Sequence, residues 1–497
     1  MLKNLKTAST HTIIYAFGNL SAKLTGFILL PLYTSNISVA DYGTLGLIET
    51  ISQFLSAFLA FSLPTALLRW SSSEKTVLSQ KSIVFTVLIA SLGILGVFNL
   101  IAYPLTNALN KLLVWDDPRF AFYLMLSFPV ISFDILNLLV LNLLRFHERP
   151  GLYIIINTVK LALILSLNIY FITYQGRGVD GIILSQFIGS LALNILSLPF
   201  LIRNLVPKFN FKLLKEMMAY GFPLVFASVS ALVLSLGDRF VIDFFLTKED
   251  LGVYTLGYRI GGVINVFILQ SFQLGFLPFA YKMHEAGDSS RFFAKVLTYF
   301  TFVLVLSALV LSVFARETII TFAPDNAGYW SAYIVVPLIS LSFVIKGLQY
   351  YFSLGLHYVK RTSYNAWIVI VSAVVSLGLN FLLIPVIGIM GAAITINIAT
   401  LVMAWLYLHY SQKFYPIPFE YRRIGLLFAV GFVLFGLALL AQELGWWPGI
   451  IVKAGLLVAF PFVLYFVGFF ESIELLRLKQ GWQKWRHPSK WILNLKH

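Results

Sequence analysis

The chain has 497 residues, of which 59% are hydrophobic and only 11% charged, with a formal net charge of +15 and no cysteine. Globular domains carry about 25% charged residues, so this composition excludes a soluble enzyme, a secreted disulfide scaffold and a disordered chain. Without cysteine there are no disulfides, thiolate metal sites or cysteine nucleophiles.

A bilayer core about 30 Å thick needs roughly 20 mostly apolar residues per helix. In chain order such runs fall at 12–34, 42–68, 82–104, 120–144, 152–173, 180–202, 216–237, 251–280, 293–315, 330–356, 364–384, 388–409, 424–442 and 448–470. The expected fold class is an all-α polytopic membrane protein with about fourteen transmembrane helices. The first run is too long for a cleavable signal and lacks a small-residue cleavage site, so it is expected to remain a span. Asp238, Arg239 and Asp243 break the hydrophobicity after the seventh run, which reads as an outer loop. The tail, 471–497, mixes three Trp (482, 485 and 491) with basic residues, a pattern of an interfacial segment or an ordinary anchoring tail.

Basic residues alternate along the chain. With the N-terminus inside, 25 of the 36 Lys and Arg lie in inner segments and six in outer loops. This is the positive-inside pattern. It predicts a multi-pass protein of the plasma (inner) membrane with both termini cytoplasmic. The high pI of about 9.7 then needs no nucleic-acid partner; the bilayer itself is the partner of the basic face.

Six features recur in order at offsets of 208–214 residues: Asp41-Tyr42-Gly43 with Asp250-Leu251-Gly252, Pro64 with Pro278, Pro129 with Pro337, His147 with His357, Asn168 with Asn380, and Gly181 with Gly391. The offset spans six helices, an even number, so the two copies insert in the same orientation. Parallel repeats of this kind place a substrate path between the halves. The predicted organisation is an N-terminal lobe at 1–210, a C-terminal lobe at 211–415, two further helices at 416–470 and the tail.

A charge at mid-bilayer costs roughly 2.5–3.5 kcal/mol, so such residues normally face a polar cavity. Lys23, Glu49, Asp134, Lys160, Arg259, Lys346 and Lys453 fall well inside spans. Those within the repeat are cationic overall, as suits an anionic pyrophosphate head group. The competing reading is mutual neutralisation, Lys23 with Glu49 and Lys160 with Asp134. Glu49 and Asp134 are candidates for a coupling ion or for plain counter-charges, and Lys453 for an interfacial anchor. Asp41, Asp238, Arg239 and Asp250 are candidates for an outer gate or for helix caps.

No GxxxxGK[ST] loop, HExxH or GxSxG occurs, and the seven His are dispersed. Neither ATP hydrolysis, a cofactor nor a metal centre is expected.

Four segments carry a family likeness: GNLSAKLTGFILLPLYTSNISVADYGTLGLIE at 18–49, GDRFVIDFFLTKEDLGVYTLGYRI at 237–260, GLHYVKRTSYNAW at 355–367 and LNFLLIPVIGIMGAAI at 379–394. Each resembles the matching segment of Wzx-type polysaccharide (O-antigen or capsule) flippases of the MOP superfamily, which also holds MurJ and the MATE exporters. The resemblance implies a flippase that moves undecaprenyl-pyrophosphate-linked repeat units from the inner to the outer leaflet by alternating access. It implies polysaccharide polymerase and chain-length proteins as possible partners. It also implies a cationic cavity to which Lys23, Arg69 and Arg259 contribute, an acidic outer residue at Asp41, and a lipid-tail groove involving the last two helices. Glu49 departs from the basic character of MurJ-like proteins nearby. Two other readings stand beside it, an ion-coupled MATE-like exporter of small molecules and a membrane glycan polymerase or acyltransferase.

Overall fold

The structure, a computed structural model, describes residues 26–74, 76–112, 118–273, 275–276, 280, 290–359, 361, 363–441 and 444–476. Lipid offers no hydrogen bonds to peptide groups, and a helix satisfies them within one segment. Among the described residues the elements are accordingly all helical. Twelve helices among the described residues are long and apolar enough to cross a membrane, and a pair bent by 44°, taken as one span, makes a thirteenth. These correspond to the second through fourteenth predicted spans. The first, 12–34, lies mostly outside the described residues, as do Lys23, Pro278 and the tail beyond Leu476.

The first half contains α1 (Leu30–Asn36), α2 (Val39–Leu59), α3 (Leu63–Ser73), α4 (Val77–Leu112), α5 (Pro118–Phe146), α6 (Pro150–Ile169) and α7 (Val179–Arg203). The second contains α8 (Phe211–Leu236), α9 (Asp238–Phe245), α10 (Lys248–Gly261), α11 (Ser290–Val313), α12 (Ala315–Phe322), α13 (Val336–Tyr358), α14 (Ser363–Ile387) and α15 (Ile389–Phe414). Two more, α16 (Tyr421–Leu440) and α17 (Trp446–Phe466), follow. Single π turns extend α6 at Tyr170–Tyr174 and α10 at Asn265–Leu269.

The second predicted span is broken. Phe61 and Ser62, at φ 46° and 53°, separate α2 from α3, and Pro64 enters the first turn of α3, where its missing N–H costs nothing. The stretch read as an outer loop after the seventh span is instead the short helix α9, with Asp238 and Arg239 only 4% exposed.

The buried apolar residues show how the halves meet. One large cluster joins both halves around the starts of α2 and α10, and takes in residues as distant as Leu30, Leu251, Val335 and Phe460. At the opposite end there are separate clusters. One lies within the first half and the start of α8, the other within the second half. That opposite end also gathers basic segments predicted to lie inside: Lys81 donates to the Arg203 carbonyl at 2.7 Å and Ser82 to that of Lys208 at 2.8 Å. The halves thus share their largest core at one end, while at the other, among the described residues, only the start of α8 packs into the first half.

Several repeat anchors have a packing reason. Asn168 and Asn380 are both buried. A Cβ on Gly181 would press on Phe171 at 3.0 Å, and one on Gly391 on the Leu383 backbone at 2.6 Å. In both halves the glycine lets one helix turn tightly back on its predecessor.

Candidate functional site

The repeated Asp-x-Gly is both a cap and a crossing. Ser38 accepts from the Asp41 N–H at 3.1 Å and donates to its carboxylate at 2.8 Å. Thr247 and Asp250 form a reciprocal capping box. Two residues on, Gly43 and Gly252 let α2 and α10 touch backbone to backbone: a Cβ on Gly43 would lie 2.8 Å from the Gly252 nitrogen, and one on Gly252 would lie 3.0 Å from the Val39 carbonyl carbon. One turn further, Gly46 faces Thr255. Tyr329 closes over the junction, its hydroxyl donating to the Ile37 and Ser38 carbonyls at 3.1 and 3.2 Å.

Below this crossing the halves part around a cavity of about 740 Å³. Its wall follows one face of α2 through Glu49, Ser52, Gln53 and Ser56, and is completed by Ser127 and Asp134 on α5, Gln186 on α7, Ser228 and Ser235 on α8, and Lys346 on α13. A chamber of about 540 Å³ shares Glu49 and Gln53 with it and reaches Arg259, Asn265 and Phe267. Another, of about 210 Å³, shares Ser235 and Lys346.

The structure pairs most of the predicted charges. Arg259 donates to Glu49 across the interface at 2.5 Å, with 20% and 33% of the two side chains exposed. Its guanidinium lies 5.2 Å from the Tyr42 ring centroid. The described partner of Glu49 is therefore Arg259; its neutralisation by Lys23, the competing reading of the sequence, involves a residue outside the described ones. Lys160 donates to Asp134 at 2.7 Å, and the same carboxylate oxygen accepts from Ser190 at 2.6 Å. Lys346 has no carboxylate within ion-pair distance among the described residues, and its nearest ring is Phe343 at 5.7 Å. Two carboxylates against Lys160, Arg259 and Lys346 leave this group with one positive charge in excess.

Other candidates sit elsewhere. Arg69 lies over Tyr220 at 4.4 Å and Trp70 at 5.4 Å, on no described cavity wall, because stacking on two rings holds it against the side of α8. Asp238 and Arg239 form a buried ion pair at 3.1 Å; Tyr254 donates to Asp238, and Arg239 packs 4.3 Å from the Tyr258 ring. That makes them a buttress behind Tyr258, which faces the cavity. Asp41 is 4.0 Å from Arg119 at the surface. Lys453, 2% exposed, is buried in an ion pair with Glu317 at 2.6 Å, so it does not anchor at an interface. The uncharged wall residues carry a signal that charge-spotting misses: Ser52, Gln53 and Ser56 follow Glu49 at i+3, i+4 and i+7, one face of a helix in an otherwise apolar span.

Known proteins share this architecture. An uncharacterized membrane protein of Haemophilus influenzae is 24% identical over 287 residues, 55% of this chain and 65% of that protein. A probable low-salt glycan biosynthesis flippase of Haloferax volcanii, Agl15, is 24% identical over 220 residues, 44% of this chain and 46% of that protein. The chain therefore spans less than two thirds of the length of either relative. Among solved structures, the lipid II flippase MurJ in an inward closed conformation superposes with a TM-score of 0.73 at 14% identity, covering 91% of this chain and 99% of that one. An inward-facing multidrug resistance MATE family transporter of the MOP superfamily gives 0.64 at 15% identity, covering 84% and 95%. At such identities the likeness is one of fold. The sequence pattern of one family matches residues 9–284. That match takes in more than half of the chain, and with it the first half, the crossing and α10; the chain belongs to the polysaccharide biosynthesis protein family, built on the fold of the MOP superfamily.

Proposed function

We propose that this protein is a flippase for polyprenyl-pyrophosphate-linked oligosaccharide repeat units, carrying them from the inner to the outer leaflet by alternating access. The observation that carries this reading is the polar cavity between the halves, closed at one end by the Gly43–Gly252 crossing, with Lys346 on its wall free of any described carboxylate. A cation in a low-dielectric cavity attracts phosphate strongly. Arg259 joins in when an incoming pyrophosphate competes with Glu49 for its guanidinium. The prenyl chain stays in lipid; an apolar groove of about 140 Å³ between α11, α13 and α16, lined by Val305, Leu309, Leu341, Phe428 and Phe432, offers it a resting place.

In this scheme residues 1–210 and 211–415 move as two lobes, and 416–470 form the groove side. The basic end faces the cytoplasm of an inner membrane, with both termini there. Lys346 and Arg259 serve as cavity cations, Glu49 is the counter-charge of Arg259, and Asp134 on the wall is neutralised by Lys160. Opening of the Asp-x-Gly crossing releases the substrate outward. Polymerase and chain-length proteins take it up from there.

Mass spectrometry of prenyl-linked lipids from cells with and without the protein tests this. Loss of the protein is expected to accumulate an oligosaccharyl-pyrophosphoryl-prenol whose mass gives the repeat unit. No accumulation, with precursor synthesis shown to be active, refutes the reading and favours a small-molecule exporter.

A further inference from the structure

The 210 Å³ chamber beside Lys346 differs in character from the large cavity with which it shares that lysine. The large cavity is walled mainly by small polar and aliphatic side chains. The chamber is walled by four aromatic rings, Tyr258, Phe343, Tyr350 and Tyr407, and its polar wall includes Gln349. All of these lie on α10, α13 and α15, so the chamber belongs to the second half alone. Tyr258 is held in place by its hydroxyl bond to the Ser235 carbonyl at 3.1 Å and by Arg239 behind its ring. Phe343 meets Tyr258 edge to face, with centroids 5.8 Å apart. Tyr407 is 4% exposed and Gln349 6%, both held by surrounding packing, while Tyr350, at 37%, is the exposed edge of the chamber.

We propose that this chamber is a sugar subsite, taking the pyranose ring joined directly to the pyrophosphate that Lys346 holds. A pyranose presents a C–H face, which packs on aromatic rings, and a rim of hydroxyls, which needs donors and acceptors. The chamber supplies rings on its walls, the Gln349 amide with two donors and one acceptor, and the Tyr350 and Tyr407 hydroxyls. Ser342 and Thr400 are already committed, donating to the Ile339 carbonyl at 2.7 Å and the Ile396 carbonyl at 2.5 Å. Because Lys346 lines both spaces, a diphosphate beside it in the large cavity leaves its sugar substituent at the chamber mouth. The remaining sugars then occupy the large cavity, whose wall has no comparable set of rings. Recognition thus falls on the first sugar, and the outer sugars are accommodated with little discrimination.

This rests on the flippase reading, and the experiment separates the two. Purified full-length protein is titrated with inorganic pyrophosphate, farnesyl pyrophosphate, and farnesyl-pyrophosphoryl sugars carrying glucose, galactose, N-acetylglucosamine or N-acetylgalactosamine, with binding read by calorimetry. At least one sugar-bearing probe is expected to bind about tenfold more tightly than farnesyl pyrophosphate, as one ring stack and one or two hydrogen bonds would provide. Tyr350→Ala and, separately, Gln349→Leu should remove most of that advantage while leaving farnesyl pyrophosphate affinity as it was. Lys346→Gln should weaken all prenyl pyrophosphates alike. No advantage for any sugar, or equal losses for sugar-bearing and sugar-free probes in the Tyr350 and Gln349 variants, overturns the subsite and leaves the flippase reading standing. Failure of every prenyl pyrophosphate to bind the wild-type protein overturns both. Tyr350→Phe, which keeps the ring, separates stacking from the hydroxyl bond and should retain part of the advantage.

Discussion

Replacing Gly43 by alanine adds one methyl at the point where α2 and α10 touch. That methyl would overlap the Lys248 carbonyl oxygen, and would lie 2.8 Å from the Gly252 nitrogen and 3.2 Å from the Lys248 carbonyl carbon. Non-bonded carbon atoms settle at about 3.5–4.0 Å, so the helices must separate by roughly 1 Å where Tyr329 and the capped helix starts hold them together. Alanine also favours the helix over glycine by about 1 kcal/mol, but this gain is the same whether the crossing is closed or open. The overlap exists only when it is closed. Overpacking of this kind costs about 1–3 kcal/mol, which shifts the closed–open balance by roughly 5- to 150-fold. The chain has no cysteine, so a single cysteine placed at Ser52, on the cavity wall, is the only thiol. Its labelling by an impermeant maleimide applied from the crossing side should speed up at least fivefold in Gly43→Ala. Gly93→Ala is the control, since nothing lies within 4 Å of a Cβ there. Wild-type labelling in Gly43→Ala, with an unchanged melting temperature, would show that the crossing absorbs a methyl and is not the closure.

Arg259→Glu is expected to abolish export while folded protein persists, because it sets two acids against each other on the cavity wall. Adding Glu49→Arg restores the ion pair, and a double-mutant cycle on thermal stability should recover about 1 kcal/mol; export restored as well would reduce the pair to a structural role. Lys453→Met strands Glu317, 15% exposed, and should cost about 3 kcal/mol, most of it recovered when Glu317→Gln is added, as read from melting temperatures. At the basic end, Glu474 sits beyond the last span. Burial opposes its ionisation, but hydrogen bonds from Tyr299, the Glu471 N–H and Arg423 outweigh it and hold its carboxyl below the usual range. Its contribution is therefore fully present above the unfolded-state value of about 4.3 and is lost as pH falls through the lower folded value. Glu474→Gln should remove that acid-side loss from a pH series of melting temperatures; an unchanged profile would sink the assignment.

The helix spans were legible because a bilayer demands one thing of every segment, an apolar run of sufficient length, and that demand is met residue by residue along the chain. The caps and tight-packing glycines, such as Asp41 and Gly43 or Gly181 and Gly391, stand out in the sequence for a related reason: they answer to local backbone geometry. Part of the cavity was readable too, in the polar face Glu49–Ser52–Gln53–Ser56, because a helix period converts spacing into a shared direction.

Which charge meets which was readable only in part: Lys160 with Asp134 was, the two lying on helices adjacent in sequence, but the partner of Glu49 was not. Glu49 and Arg259 lie 210 residues apart, and their pairing depends on the crossing angle of two helices set by backbone contact at Gly43 and Gly252. The same holds for Lys453 with Glu317 and for the stacking of Arg69 on Tyr220. Asp238 and Arg239 read as loop residues because hydropathy counts their charges, yet they neutralise each other in place and can be buried together. Composition and periodicity determined that this chain is an all-helical polytopic membrane protein. Only the tertiary structure decided which cations are already paired, and left Lys346 on the cavity wall with no described carboxylate beside it, because ion pairs between distant helices depend on how those helices pack.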